Sequence, residues 1–130
     1  MFQNVRFNWL RDAGNNPVAV IASGLLIDEK IMKPLSIHYA LAIYNPKDKF
    51  NKALAKSIAE GRLKYHQNAT DGLVGVIDPD VPNIKLAILN KIASDARKPK
   101  TKLRPHIWAA ALYRIQEMSN RNFTLTPVKK

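Results

Sequence analysis

Residues 35–67 read LSIHYALAIYNPKDKFNKALAKSIAEGRLKYHQ. The first ten of them alternate: Leu35, Ile37, Tyr39, Leu41 and Ile43 fall on one side, and Ser36, His38, Ala40, Ala42 and Tyr44 on the other. That is the period of a half-buried β-strand. Asn45-Pro46-Lys47-Asp48 then reads as a helix start. Asn can cap, Pro at the first helical position forfeits no hydrogen bond, and Asp48 sits where the helix dipole favours an anion. Beyond it, Phe50, Leu54, Ile58, Gly61 and Tyr65 recur at spacings of three and four, with Lys49, Lys52 and Lys56 on the opposite face. An amphipathic helix is expected, its apolar stripe facing a sheet that contains Leu41 and Ile43. Arg62 lies at the stripe's edge beside Gly61, where a close backbone approach is expected.

Towards the N-terminus, residues 4–10 alternate, with Val5, Phe7 and Trp9 on one side. Asp12-Ala13-Gly14-Asn15-Asn16-Pro17 is a turn cluster. Val18 to Ile27 is rich in β-formers, with Gly24 suggesting a bulge. Asp28-Glu29-Lys30 makes a polar break, and Pro34 stands at the edge of the central strand. A three-stranded antiparallel meander results. Towards the C-terminus, residues 68–72 form a loop and Leu73 to Ile77 a short apolar strand. Asp78-Pro79-Asp80-Val81-Pro82-Asn83 closes that strand and caps a helix striped by Ile84, Ile88 and Ile92. Residues 97–104 break the pattern. A last helix starts near Pro105, with Ile107, Trp108, Ala111, Leu112, Ile115 and Met118 on one face. The order β-β-β-α-β-α-α specifies an α+β fold, an antiparallel sheet of three to four strands packed by three helices. One domain, 1–122, is expected, followed by a polar basic tail, 123–130.

The chain has 130 residues, 46% of them hydrophobic, enough for a real core. It contains no cysteine, which removes disulfides, thiolate nucleophiles and cysteine-bound zinc. No apolar run approaches the ~20 residues of a membrane span, and no basic-then-apolar leader follows Met1. A cytoplasmic protein without a membrane partner is expected.

Net charge is +11 and unevenly spread: residues 97–130 carry nine basic side chains against Glu117 alone. Such asymmetry points to a polyanionic partner. The best candidate site is Arg97-Lys98-Pro99-Lys100-Thr101-Lys102-Leu103-Arg104. On an extended chain Lys98, Lys100, Lys102 and Arg104 would share a side and follow a phosphate backbone. Arg97 adds to the same segment. Lys49, Lys52 and Lys56 form a second basic face, relevant if the fold brings it beside the first. Phe7, Trp9 and Tyr39 could stack unpaired bases on an open sheet, but they alternate as inward residues do.

Catalytic signals are sparse. His38, His66 and His106 lack metal-ligand spacing. Asp71, Asp78 and Asp80 could serve a magnesium-dependent nuclease, yet a turn and a helix cap account for them. Gly72 and Gly75 are not followed by the lysine and hydroxyl of a phosphate loop. Neither an enzyme, a metal site nor a cofactor is expected.

The segment Tyr39 to Phe50, followed by Ile58-Ala59-Glu60-Gly61-Arg62-Leu63, resembles a pattern in small bacteriophage-encoded accessory proteins and covers about a fifth of the chain. The resemblance implies a protein made in the bacterial host cytoplasm that binds DNA or redirects a host enzyme. It carries no functional residues with it, and the basic 97–104 segment is not part of the pattern. The function expected is nucleic-acid binding, DNA before RNA, through Arg97, Lys98, Lys100, Lys102 and Arg104 with Lys49, Lys52 and Lys56. The alternative is a modulator that docks an acidic protein partner.

Overall fold

A computed structural model describes residues 2–44, 51–65 and 71–125. Strands β1 (Phe2–Arg11), β2 (Pro17–Asp28) and β3 (Lys33–Ile43) follow one another as antiparallel hairpins. The first turn closes on Asp12, whose carboxylate accepts from the Asn16 N–H at 2.9 Å. Asn15 adopts φ 66°, a left-handed conformation that asparagine tolerates well. Asp28 organises the second turn, accepting from the N–H of Lys30 on its side chain and from that of Met32 on its carbonyl. Gly24 pairs in register with His38; the shift in register falls instead between Leu26 and Ile27, beside Pro34.

Helix α1 (Lys52–Tyr65) precedes β4 (Val74–Ile77), which pairs antiparallel with β3 and completes a sheet of order β1-β2-β3-β4. Helices α2 (Ile84–Asp95) and α3 (Pro105–Leu125) end the fold. The architecture is the α+β arrangement expected, in the expected order. Asn83 caps α2, its side chain accepting from the Leu86 N–H at 3.0 Å. Pro105 opens α3 at the position where its missing N–H costs nothing. That helix continues into the segment expected as tail.

Helices cover both faces of the sheet, which alters how β3 is read. Tyr39, Ala40, Leu41 and Ala42 are all buried, as are Val18 to Ala22 on β2. The alternation along β3 is therefore one of size, not of exposure. Its large side chains Ile37, Tyr39 and Leu41 join Leu10, Ile21 and Ile77 in a core closed by Ile88, Ile92, Ile107 and Ala111 of α2 and α3. Its small ones, Ala40 and Ala42, join Val20, Ala22 and Val74 under Ala59 and Leu63 of α1.

The registration of α1 corrects the sequence-based expectation. Asn51 caps it, its side chain accepting from the Leu54 N–H at 3.0 Å; the expected cap at Asn45 lies outside the described residues, as does Phe50. The helix turns Ala55, Ala59 and Leu63 to the sheet, against the small-residue face and not the face of Leu41. Leu54, Ile58 and Tyr65 point to solvent, 57%, 41% and 80% exposed. Small side chains on the sheet favour a close helix approach, and α1 makes it with its own alanines. It does not make it at Gly61, where a Cβ would meet open space. Arg62 reaches inward instead and donates to the Leu41 carbonyl at 2.6 Å.

Candidate functional site

The segment joining α2 to α3 is folded back on itself. The N–H of Arg97 bonds to the Ser94 carbonyl, that of Lys98 to Asp95 and that of Thr101 to Lys98. The Lys102 N–H donates to the Asp71 carbonyl at 2.8 Å, and Leu103 is buried in the large-residue core. Gly72, at φ +89°, lies against Thr101 and Leu103, so that a side chain there would be both strained and crowded. The loop is thus anchored to the segment just before β4.

This geometry removes the extended strip the sequence suggested. Lys98 bends to Asp95 at 3.0 Å and Lys102 to Asp71 at 3.4 Å, so the alternating cations do not share one side by strand geometry. Both lysines still expose most of their side chains, 64% and 69%. Pairing of this kind contributes little and leaves the ammonium groups able to meet another anion. Arg97, Lys100 and Arg104 are exposed and have no carboxylate partner among the described residues.

The loop forms one wall of a groove of about 640 Å³ whose other wall is β4. Lys91, Lys98 and Lys100 line it, with Gly72, Gly75 and Val76 opposite. The Leu41 N–H donates to the Leu73 carbonyl, and Tyr39 and Gly75 stand opposite each other in the same register. In an antiparallel ladder the peptide groups of Val74 and Val76 then turn away from β3, towards the groove. Lys91 was missed by sequence reasoning. Its signal was the spacing Lys91, Asp95, Lys98, one to two helical turns that place both lysines around one carboxylate; Lys91 lies 3.8 Å from Asp95.

Below the groove, the ring of Tyr39 lies across Gly75, where a Cβ would overlap it. The Tyr39 hydroxyl is buried and has no hydrogen-bond partner among the described residues. Burial first, and then the negative charge of Asp95, push that phenol far above its ordinary range, so it remains protonated.

The second basic face is elsewhere. Lys52 and Lys56 sit on α1, beyond the opposite face of the sheet, and the Lys56 ammonium lies 5.6 Å from the centre of the Phe7 ring on β1. The anchored loop adjoins β4, at the other edge. Lys49 is outside the described residues. The fold does not gather Lys52 and Lys56 with Arg97–Arg104 into one surface.

The carboxylates have structural partners. Asp78 accepts from the Asp80 N–H at 2.9 Å, and Asp71 from the Leu73 N–H at 3.0 Å. Among the described residues no group of three His, Cys, Asp or Glu is placed to hold a metal ion. His38 lies 2.8 Å from the Ser36 hydroxyl on the α1 side, and His106 belongs to α3; His66 is outside the described residues. Among the described residues no helix is long and apolar enough to cross a membrane. Compared with known proteins, the chain matches no family model, no curated protein and no solved structure.

Proposed function

We propose that the chain is a small nucleic-acid-binding accessory protein of the bacteriophage type its central segment resembles, with its phosphate-binding surface at the β4 groove. The observation carrying this reading is the gathering of Lys91, Lys98, Lys100 and Lys102 around one groove against Asp71 and Asp95, with Arg97 and Arg104 exposed on the same connecting segment. An anchored loop presents those charges with little ordering left to do on binding, and the outward N–H groups of Val74 and Val76 add neutral donors. Duplex DNA suits the surface better than unpaired bases. Phe7 and Trp9 are partly buried beneath α1 and Tyr39 is fully buried, so these three do not form an open aromatic platform. Lys52 and Lys56 are left out of the footprint.

The test is a salt titration of affinity for a random duplex and a random single strand. Wild-type protein should bind the duplex with a steep negative dependence of log affinity on log salt. Arg97→Glu, Lys100→Glu and Arg104→Glu together should flatten that slope by roughly three units, near 0.9 for each phosphate no longer neutralised. Duplex affinity no better than ~10⁻⁴ M at low salt would exclude this function.

One observation favours the second reading, a modulator acting through protein contact. Leu54, Ile58 and Tyr65 form an outward apolar stripe on α1 that phosphate binding does not use. If that reading holds, Leu54→Ser with Ile58→Ser should abolish a stoichiometric complex recovered from nuclease-treated lysate while leaving duplex affinity intact.

A further inference from the structure

On the large-residue face, α2 and α3 do not cover the whole sheet. A cleft of about 590 Å³ remains between the first turns of α2, the 114–118 turn of α3, and the β1–β2–β3 surface. Ile21, Leu25 and Ile37 form its floor, and Ile84, Ile88 and Met118 its apolar walls. Asn8 and Ser23 place an amide and a hydroxyl on the same floor, carried by neighbouring strands. The volume is within the roughly 300–1,000 Å³ typical of small-molecule sites, and the mixture of an apolar bed with a few convergent polar groups is their usual composition.

The charges around this cleft are of one sign with a single exception. Arg114 is fixed in place: it donates to the carbonyls of Arg11 and Asp12 at 3.0 and 3.2 Å and to the Glu117 carboxylate at 2.9 Å. Arg11 donates to the Asn15 carbonyl at 3.1 Å. Arg6 on β1 and Lys85 on α2 are different. Both line the cleft, both are exposed, and neither has a carboxylate partner among the described residues. They belong to elements on different sides of the opening, Arg6 beside Asn8 on the floor strand and Lys85 beside Ile84 on the wall.

We infer that this cleft binds a small amphipathic anion, its aliphatic or aromatic body on Ile21, Leu25 and Ile37 and its anionic head held between Arg6 and Lys85. The apolar bed supplies most of the affinity, and the two cations select the sign of the head group. A neutral ligand of the same body would leave both cations without a partner, and a cationic one would be repelled. The groove beside β4 is formed by the other end of α2 and by different strands, so this site is independent of the nucleic-acid reading.

The test uses the full chain, dodecanoate as the anionic probe, and dodecanol and dodecyltrimethylammonium as neutral and cationic counterparts, with displacement of anilinonaphthalene sulfonate as the readout. Dodecanoate should displace the dye at least tenfold more effectively than either counterpart. Arg6→Glu with Lys85→Glu should weaken dodecanoate binding at least tenfold. Lys30→Glu with Lys33→Glu, an equal change of net charge on the exposed β2–β3 turn, should leave it within twofold. All four positions are exposed, and circular dichroism of both variants confirms that the fold is retained. No displacement by dodecanoate up to ~1 mM, equal displacement by all three probes, or equal loss in both double variants would each overturn the assignment.

Discussion

The two faces of this sheet are built from the same strands but in opposite grain. Towards α2 and α3 they present Leu10, Ile21, Ile37, Tyr39 and Leu41; towards α1 they present Val20, Ala22, Ala40 and Ala42. On the first face the large side chains come from the sheet, and two helices spread over them. On the second the β2 and β3 surface is nearly smooth, and one helix lies close over it, touching it with Ala55, Ala59 and Leu63, while Phe7 and Trp9 of β1 pack beside that contact. The difference teaches that alternation in a strand can encode the thickness of two layers as well as the boundary between core and water. Leu54 and Ile58 of α1 face outward, and the helix turns Ala55, Ala59 and Leu63 to the small side chains beneath it.

The largest expected effect comes from hollowing the thick layer. Leu41 is fully buried beneath α2 and α3, so Leu41→Ala should cost ~2–5 kcal/mol in chemical denaturation. A loss below ~1 kcal/mol would mean that this layer collapses around the cavity and is less tightly packed than the geometry indicates.

Filling the thin layer should act in the opposite sense sterically and in the same sense energetically. Ala59 is completely buried between α1 and the alanines of β2 and β3, so Ala59→Leu should cost ~1–3 kcal/mol by overpacking. Leu54→Ala, on the outward stripe, should change stability by less than ~0.5 kcal/mol. If Leu54→Ala instead cost as much as Leu41→Ala, the registration of α1 would be reversed.

How far the sequence reached is set by the same contrast. Element order, the Asn83 cap, the Pro105 start, the stripe of α3 and Ile88 and Ile92 of the α2 stripe were legible because each depends on local chemistry or on one periodic pattern; Ile84 of that stripe is 44% exposed. The register of α1 was not. Its sequence carries two apolar arcs, Leu54-Ile58-Gly61-Tyr65 and Ala55-Ala59-Leu63, and hydrophobicity alone favours the larger one. The choice is made by Ala40 and Ala42, residues of another strand. Likewise the basic loop was visible as composition, whereas its anchoring by Asp71, Asp95 and Leu103 is a tertiary fact. Lys91 joined the site only once α2 and the loop were seen to share Asp95.

A smaller effect is expected at the buried hydroxyl of the thick layer. Tyr39 buries its O–H without a partner among the described residues, and a donor in that position is costly by about 1–3 kcal/mol. Tyr39→Phe keeps the ring across Gly75 and removes the orphan, so it should stabilise the protein by roughly 1 kcal/mol. Destabilisation by that amount would reveal that the hydroxyl is satisfied, for instance by a bound water.

The smallest expected effect is one of pH, and it compares the two faces directly, since among the described residues each carries one partly buried histidine. Burial lowers the pKa of His38 on the α1 side. At His106 burial is again the main cause, reinforced by the Arg104 guanidinium and opposed by Asp12, with a net shift downward from 6.5. A depressed folded-state pKa means that the unfolded chain binds more protons as the pH falls below 6.5. Each histidine therefore contributes stability that is fully present above that value and is lost as the pH falls through the folded-state pKa. The urea midpoint of the wild type should decrease between pH 7.5 and 5.5 at unchanged slope. His106→Gln removes the group whose Nε2 is buried without a partner among the described residues, and it should shrink the difference between the two pH values. His38→Gln should do the same for its own share, so the double variant leaves only what His66 and the carboxylates contribute. A wild-type midpoint that holds or rises at pH 5.5, or a loss that survives both substitutions undiminished, would show that neither histidine is kept neutral by its face of the sheet.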